Sequence, residues 1–319
     1  HYIPEFYLKK WQHKNNKKNN DLKLVQYQKT QSGVKYNFKT SAETAYEINL
    51  YSREDLPDNL RDALEKMTMS QIDSDASLIH EMLLNGIIPR TSEERTKWVR
   101  FIISLIYRNP EKIRDLSCSY KKNMELVSED IKKYYDVYKG AYDPKNYDEY
   151  EKTVNKYQNG YDFCSFFENL IVGANEIGSH FVKMYWRVAE ADKHYLLTSD
   201  RPLQGSNGFV FGNRFIREDG HFCIALSPEK LFIATNTYDF MNYFLKPSNR
   251  IFNNFNRLIT NNCKRFVYSR DLGQDYFIKK NFSGINPITL GLPDHLSFDQ
   301  ELKRFHEKQS QHMRITKRK

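Results

Sequence analysis

No run of apolar residues in this chain approaches the roughly 18 that a membrane-spanning helix requires. The longest candidate, Phe101 to Tyr107, is far too short. No signal-peptide pattern opens the chain, so the sequence reads as cytoplasmic, with no membrane partner. Cysteine is scarce. Cys118, Cys164, Cys223 and Cys263 are scattered with no close pair, which argues against a zinc site and a disulfide framework and fits a reducing compartment. Four sequence motifs are also missing: the G-x-S-x-G elbow, the P-loop, G-x-G-x-x-G and H-E-x-x-H. Their absence excludes the familiar forms of several enzyme classes, though not enzymes as such, and nothing in the sequence names a cofactor or a metal. Methionine does not stand at position 1, so an initiator or short leader is expected ahead of His1.

Apolar residues make up 39% of the chain, below the usual share, while aromatic residues reach 14%. Aromatic rings are therefore expected to fill much of the core. The formal net charge of +9 permits a polyanionic partner such as RNA or DNA. Lys, Asn, Tyr, Phe and Ile are abundant together, a bias that A/T-rich coding also produces, so charge alone does not choose between the two causes.

Along the chain, aromatics follow Pro4 at helical spacing, and Phe6, Leu8 and Trp11 are expected to face a core. His13 to Asn20 reads as a solvated loop. Leu22–Gln28 and Val34–Phe38 alternate around Ser32-Gly33 as a hairpin, with a third short strand near Ile48–Tyr51. The period then changes to helix over Asp55–Gly86. Ser92-Glu93-Glu94 caps another helix that ends at Arg108-Asn109-Pro110. Further helices are expected over 113–139, 145–156 and 163–184. From there the pattern is strand. Met184–Ala189 and His194–Leu197 pair around Glu190–Lys193, with more strands at Phe209–Phe211, Phe222–Leu226 and Leu231–Ala234. Ser227-Pro228-Glu229 turns between the last two. A late helix spans 249–263, the strand Phe266–Tyr268 follows, and the tail from Glu301 is basic. The expected fold is α+β: one domain over 1–300, with a small N-terminal β-hairpin region (1–51), a helical block (52–184) and a C-terminal antiparallel β-rich region with a late helix (185–300), then a basic tail (301–319).

The stretch Tyr195 to Leu203 draws attention because an apolar strand runs into Thr198-Ser199-Asp200, three short oxygen side chains at a turn. The same residues also serve ordinary turn chemistry. Here a resemblance enters. His1-Tyr2-Ile3-Pro4-Glu5-Phe6-Tyr7-Leu8 resembles the HYVPxFYL signature of the DUF4238 family, mostly bacterial proteins of unknown function. Arg108-Asn109-Pro110 resembles its RTP. Leu197 to Leu203, after a strand led by Trp186, resembles its TSDNPV. Leu226-Ser227-Pro228 resembles LSP, and Asn256 with Cys263 and Phe266–Ser269 resembles its closing N…A…VYS pattern. Asn109, Arg201 and Cys263 depart from the family residues, and Arg201 removes a neutral amide beside Asp200. Family members resemble accessory proteins of mobile elements and defence islands. That resemblance implies a toxin or antiviral effector, with other proteins of a defence system as partners.

Four residues are the candidate catalytic set. His1 is a general base or a histidine that seats the first helix. Arg108 is a phosphate clamp or a cation on the last helical carbonyls. Asp200 orients or accepts a proton, or closes a turn. Asn256 reaches the same pocket or ties helix to sheet. Thr198, Ser199, Lys264 and Arg265 are the candidate substrate contacts. Three functions remain open: a phosphodiester-cleaving effector in which His1, Arg108, Asp200 and Asn256 converge, a binding or sensor protein in which the same residues are structural, and a hydrolase on a non-nucleic substrate, which no motif favours.

Overall fold

A computed structural model describes residues 1–14, 22–48, 50, 64–154, 158–172, 175–191, 195–206, 216–247 and 250–282. The chain divides into two compact units, one made of His1–Leu8 and Ser41–Val182, the other of Lys9–Thr40 and Lys183–Lys319.

The first unit is helical. Pro4 leads into α1 (Glu5–Leu8), and the Tyr2 N–H donates to the Ala45 carbonyl at 2.9 Å. A π-helical turn (Leu64–Met69) runs into α2 (Ser70–Leu84), and Gly86 ends it at φ +74, a conformation glycine adopts without a Cβ penalty. In α3 (Ser92–Tyr107) the cap is Thr91 rather than Ser92. The Thr91 hydroxyl accepts from Glu94 N–H, and the Glu94 carboxylate accepts from Thr91 N–H, which holds Glu94 below the usual carboxylate range. Asn109 then caps α4 (Pro110–Tyr138), with Pro110 at the first helical position. The remaining helices are α5 (Tyr147–Val154), α6 (Gln158–Val172) and α7 (Asn175–Lys183). Aromatics do fill this core. His80 stacks on Trp98, and Phe6 meets both His80 and Phe101. Tyr7 and Leu8 are fully buried, and Phe6 only partly.

The second unit holds two antiparallel sheets. In the first, β1 (His13–Lys14) and β3 (Gly33–Lys39) both pair with β2 (Leu22–Thr30). β2 pairs in turn with β9 (Phe266–Ser269), which pairs with β5 (Thr198–Ser199). The N-terminal hairpin is thus part of the same sheet as the late strand. Gly33 turns the hairpin at φ +105. The second sheet runs in the order β4 (Tyr185–Glu190), β8 (Lys230–Thr235), β7 (His221–Ser227) and β6 (Gln204–Gly205). Ser227 closes the β7–β8 turn by accepting from Glu229 N–H at 3.1 Å. Three further helices follow: α8 (Tyr238–Phe244), α9 (Ile251–Asn262) and α10 (Asp275–Asn281).

The fold is α+β, as expected, with two antiparallel sheets, helices in the middle of the chain and a late helix. Four local expectations change. β4 pairs with β8, not with residues 195–197. Tyr195, Leu196 and Leu197 are not a strand, because their backbone bonds go to a side chain and to the Pro228 carbonyl instead of a ladder. His13 and Lys14 form a short strand rather than a loop. Ile48 and Leu50 stand in turns where a strand was expected. The expected strand at 209–211, the basic tail from 301, the helix start at 55–63, loop residues 15–20 and residues 192–194 lie outside the described residues.

Candidate functional site

His1 and Arg108 belong to the helical unit. The His1 ring is partly exposed. Its Nε2 lies 3.4 Å from the Ala42 carbonyl and 3.7 Å from Glu5, and Tyr46 stacks at a tilt 5.7 Å away. Arg108 caps α3 and is 1% exposed. Its guanidinium grips Asp73 of α2 with both terminal nitrogens, at 2.8 and 3.2 Å, and lies 6.0 Å from the Phe101 ring centroid. This fork fixes the end of α3 to α2.

Asp200 and Asn256 belong to the sheet unit and pin the same short segment from its two ends. Asn256, 2% exposed, accepts from Leu197 N–H at 2.8 Å and donates to the Tyr195 carbonyl at 3.0 Å and to Gln274 Oε1 at 3.2 Å. One amide thereby supplies the acceptor and the donor that a neighbouring strand would give. Asp200, 3% exposed, accepts from the N–H groups of Lys264 at 2.9 Å, Arg265 at 2.5 Å and Phe266 at 3.4 Å. Its own N–H donates to the Phe266 carbonyl. Burial pushes the Asp200 carboxyl above its ordinary range, against the three N–H donors, which favour the ionised form. Thr198 and Ser199 are fully buried in β5, opposite Tyr268 and Val267, while Lys264 is exposed and Arg265 half-buried. The backbone rather than the side chains of Lys264 and Arg265 meets Asp200.

Two groupings escaped the sequence reading. At one surface of the sheet unit, Arg270 stacks on Tyr195 at 4.6 Å, pairs with Glu229 at 2.8 Å and approaches His13 at 3.5 Å. These residues come from four separate stretches, and no local pattern links them. In the second sheet, His221 is buried between Phe240 and Phe244 at about 5 Å. Its Nδ1 lies 2.7 Å from the Asp219 carbonyl, whereas Nε2 is buried with no hydrogen-bond partner among the described residues. Burial pulls its pKa down, and Asp219, itself paired with Arg217, only partly offsets this.

A pH dependence of stability follows. Above the ordinary histidine value of about 6.5, both folded and unfolded chains carry neutral His221, and it costs nothing. Below it the unfolded chain takes up a proton that the folded one refuses, so stability falls by up to about 1.4 kcal/mol per pH unit. Urea midpoints at pH 7.5 and 5.0 should fall less for His221→Phe than for the unmodified chain. Equal falls would remove His221 from the account.

Among the described residues, no three metal-ligating side chains gather, and no helix is long and apolar enough to cross a membrane. No curated protein and no solved structure matches the chain. A family model described as "Protein of unknown function (DUF4238)" matches residues 1–272, most of the chain, with both His1 and Asn256 inside the matched span. The chain therefore belongs to the DUF4238 family.

Proposed function

We propose that this protein acts by binding a polyanionic partner, with Arg108, Asp200 and Asn256 as structural residues rather than catalysts. The observation that carries this reading is the engagement of Asp200. Both its oxygens accept from backbone N–H groups beside β9 and the carboxylate is 3% exposed, so its acceptor capacity goes mainly to holding the chain rather than to moving a substrate's proton. Arg108 and Asn256 point the same way, since the first grips Asp73 and the second replaces a strand. The net charge of +9 is compatible with a nucleic acid as the partner of such a binder.

The test is direct. Purified full-length protein is incubated with labelled RNA and single-stranded DNA, with and without Mg²⁺. The expected result is retention of the oligonucleotide without cleavage. Cleavage that disappears in His1→Ala or Asp200→Asn, with folding intact, would overturn the proposal.

A second reading, a nucleic-acid-cleaving effector of a defence system, draws on one feature. His1 is the one of the four candidates whose side chain reaches solvent, 29% exposed with Glu5 beside it. In that reading the cleaving centre narrows to His1, and His1→Ala alone removes it.

A further inference from the structure

We infer that the exposed aromatic face of the β2–β3 hairpin is the docking surface for single-stranded nucleic acid. This deepens the binding reading above and rests on it. In the register of the two strands, Tyr27 lies opposite Tyr36, Val25 opposite Phe38 and Lys29 opposite Val34, so these six side chains share one face. Val25 and Tyr27 are buried, whereas Tyr36 and Phe38 are each 39% exposed. Their rings form a row, with Tyr27 and Tyr36 5.8 Å apart and Tyr36 and Phe38 6.0 Å apart. The Lys279 ammonium of α10 stands 5.6 Å from the Tyr36 ring.

Two large rings left open to water on neighbouring same-face positions of a strand have no packing explanation within the hairpin. The charge of the hairpin selects the occupant. Residues 22–40 contain Lys23, Lys29, Lys35 and Lys39 and no acidic residue. Lys23 and Lys29 lie on the aromatic face, with Lys29 exposed near the hairpin's turn, whereas Lys35 and Lys39 alternate to the opposite face. Aromatic rings interleaved with cations suit a strand whose bases stack and whose phosphates are neutralised, without regard to base identity.

The experiment uses the full chain and a fluorescein-labelled oligouridylate of about twelve nucleotides, within the span such surfaces cover. Fluorescence anisotropy is read across a salt series. The unmodified chain should bind, with affinity falling steeply as salt rises. Tyr36→Ala with Phe38→Ala should lower affinity by about tenfold or more while the salt slope stays. Lys29→Gln, at an exposed position on the aromatic face that leaves the fold alone, should flatten the slope by roughly 0.7 for a phosphate no longer neutralised.

Affinity unchanged by the ring substitutions would overturn the inference, as would absence of binding at low salt. Polyglutamate binding that the ring substitutions weaken, with oligouridylate affinity unchanged, would assign the face to an acidic protein and overturn the inference. A shift in oligomeric state instead of affinity would assign it to a second copy of the chain. Cleavage of the oligouridylate by the unmodified protein would sink the non-catalytic reading and leave the face standing. Unaltered affinity would do the reverse.

Discussion

Asp200→Ala is expected to destabilise the protein by about 3–5 kcal/mol, because it leaves three N–H groups beside β9 without their acceptor in a site water does not reach. Against a typical total of about 5–15 kcal/mol, that is a large fraction. Asp200→Asn separates the two contributions of the carboxylate. The amide keeps one oxygen for the backbone and carries no charge, so it escapes the desolvation that pushes the Asp200 carboxyl up. Its NH₂, however, faces donors. A loss of about 1–2 kcal/mol is expected, well short of alanine. Urea unfolding followed by circular dichroism gives both values. The oligonucleotide affinity of the folded fraction should be unchanged in either variant. If alanine leaves the midpoint in place and abolishes binding or cleavage, Asp200 is functional after all.

The contrast between that carboxylate's composition and its role marks how far the sequence could be read. Hairpins were legible where the turn and the alternation were both local: Gly33 with its positive φ between β2 and β3, and Ser227 between β7 and β8. The long helices were legible from their period, and the start of α3 was missed by one residue because Thr91 and Ser92 are both good caps. Which one serves is decided by the hydroxyl that faces Glu94 N–H. Partners were not legible. Nothing near Leu22 says that β2 will pair with residues 266–269, and nothing near Tyr185 says that β4 will take β8. Tyr195, Leu196 and Leu197 look like a strand because they are apolar and lead into a turn, yet Asn256, 59 residues past Leu197, bonds the backbone of Tyr195 and Leu197, and Pro228 and Trp11 bond that of Leu196.

The candidate site failed to be legible for a related reason. Short oxygen side chains at a turn are used alike by sites and by turns, and the choice depends on what the oxygens meet. Here Asp200 meets the backbone of residues 264–266, whereas the sequence alone points to the side chains of Lys264 and Arg265 as substrate contacts. The hairpin aromatics are hard to single out for the opposite reason. Tyr36 and Phe38 belong to a strand with regular alternation, which reads as half-buried, and only their exposure distinguishes them from core.

Arg108 offers the second large effect, and its size depends on which partner is removed. Arg108→Ala takes away a buried guanidinium and leaves Asp73, which keeps a quarter of its surface in water and can rehydrate. A loss of about 3 kcal/mol is expected, at the low end for a buried pair. Asp73→Ala leaves the guanidinium, 1% exposed, without its carboxylate, and should cost more, about 4–5 kcal/mol. Arg108→Lys does not rescue, because an ammonium cannot make the two parallel bonds to Asp73 Oδ1 and Oδ2. Replacing both partners, Asp73→Leu with Arg108→Met, removes both charges and fills the space with apolar atoms. The double variant is expected within about 1–2 kcal/mol of the unmodified chain, so the pair is coupled by several times that of an exposed ion pair. Thermal and urea unfolding of the four proteins closes the cycle. Arg108→Ala that leaves stability untouched while weakening oligonucleotide binding would return the residue to phosphate recognition, since a group that only ties α3 to α2 cannot alter affinity without first loosening the helices.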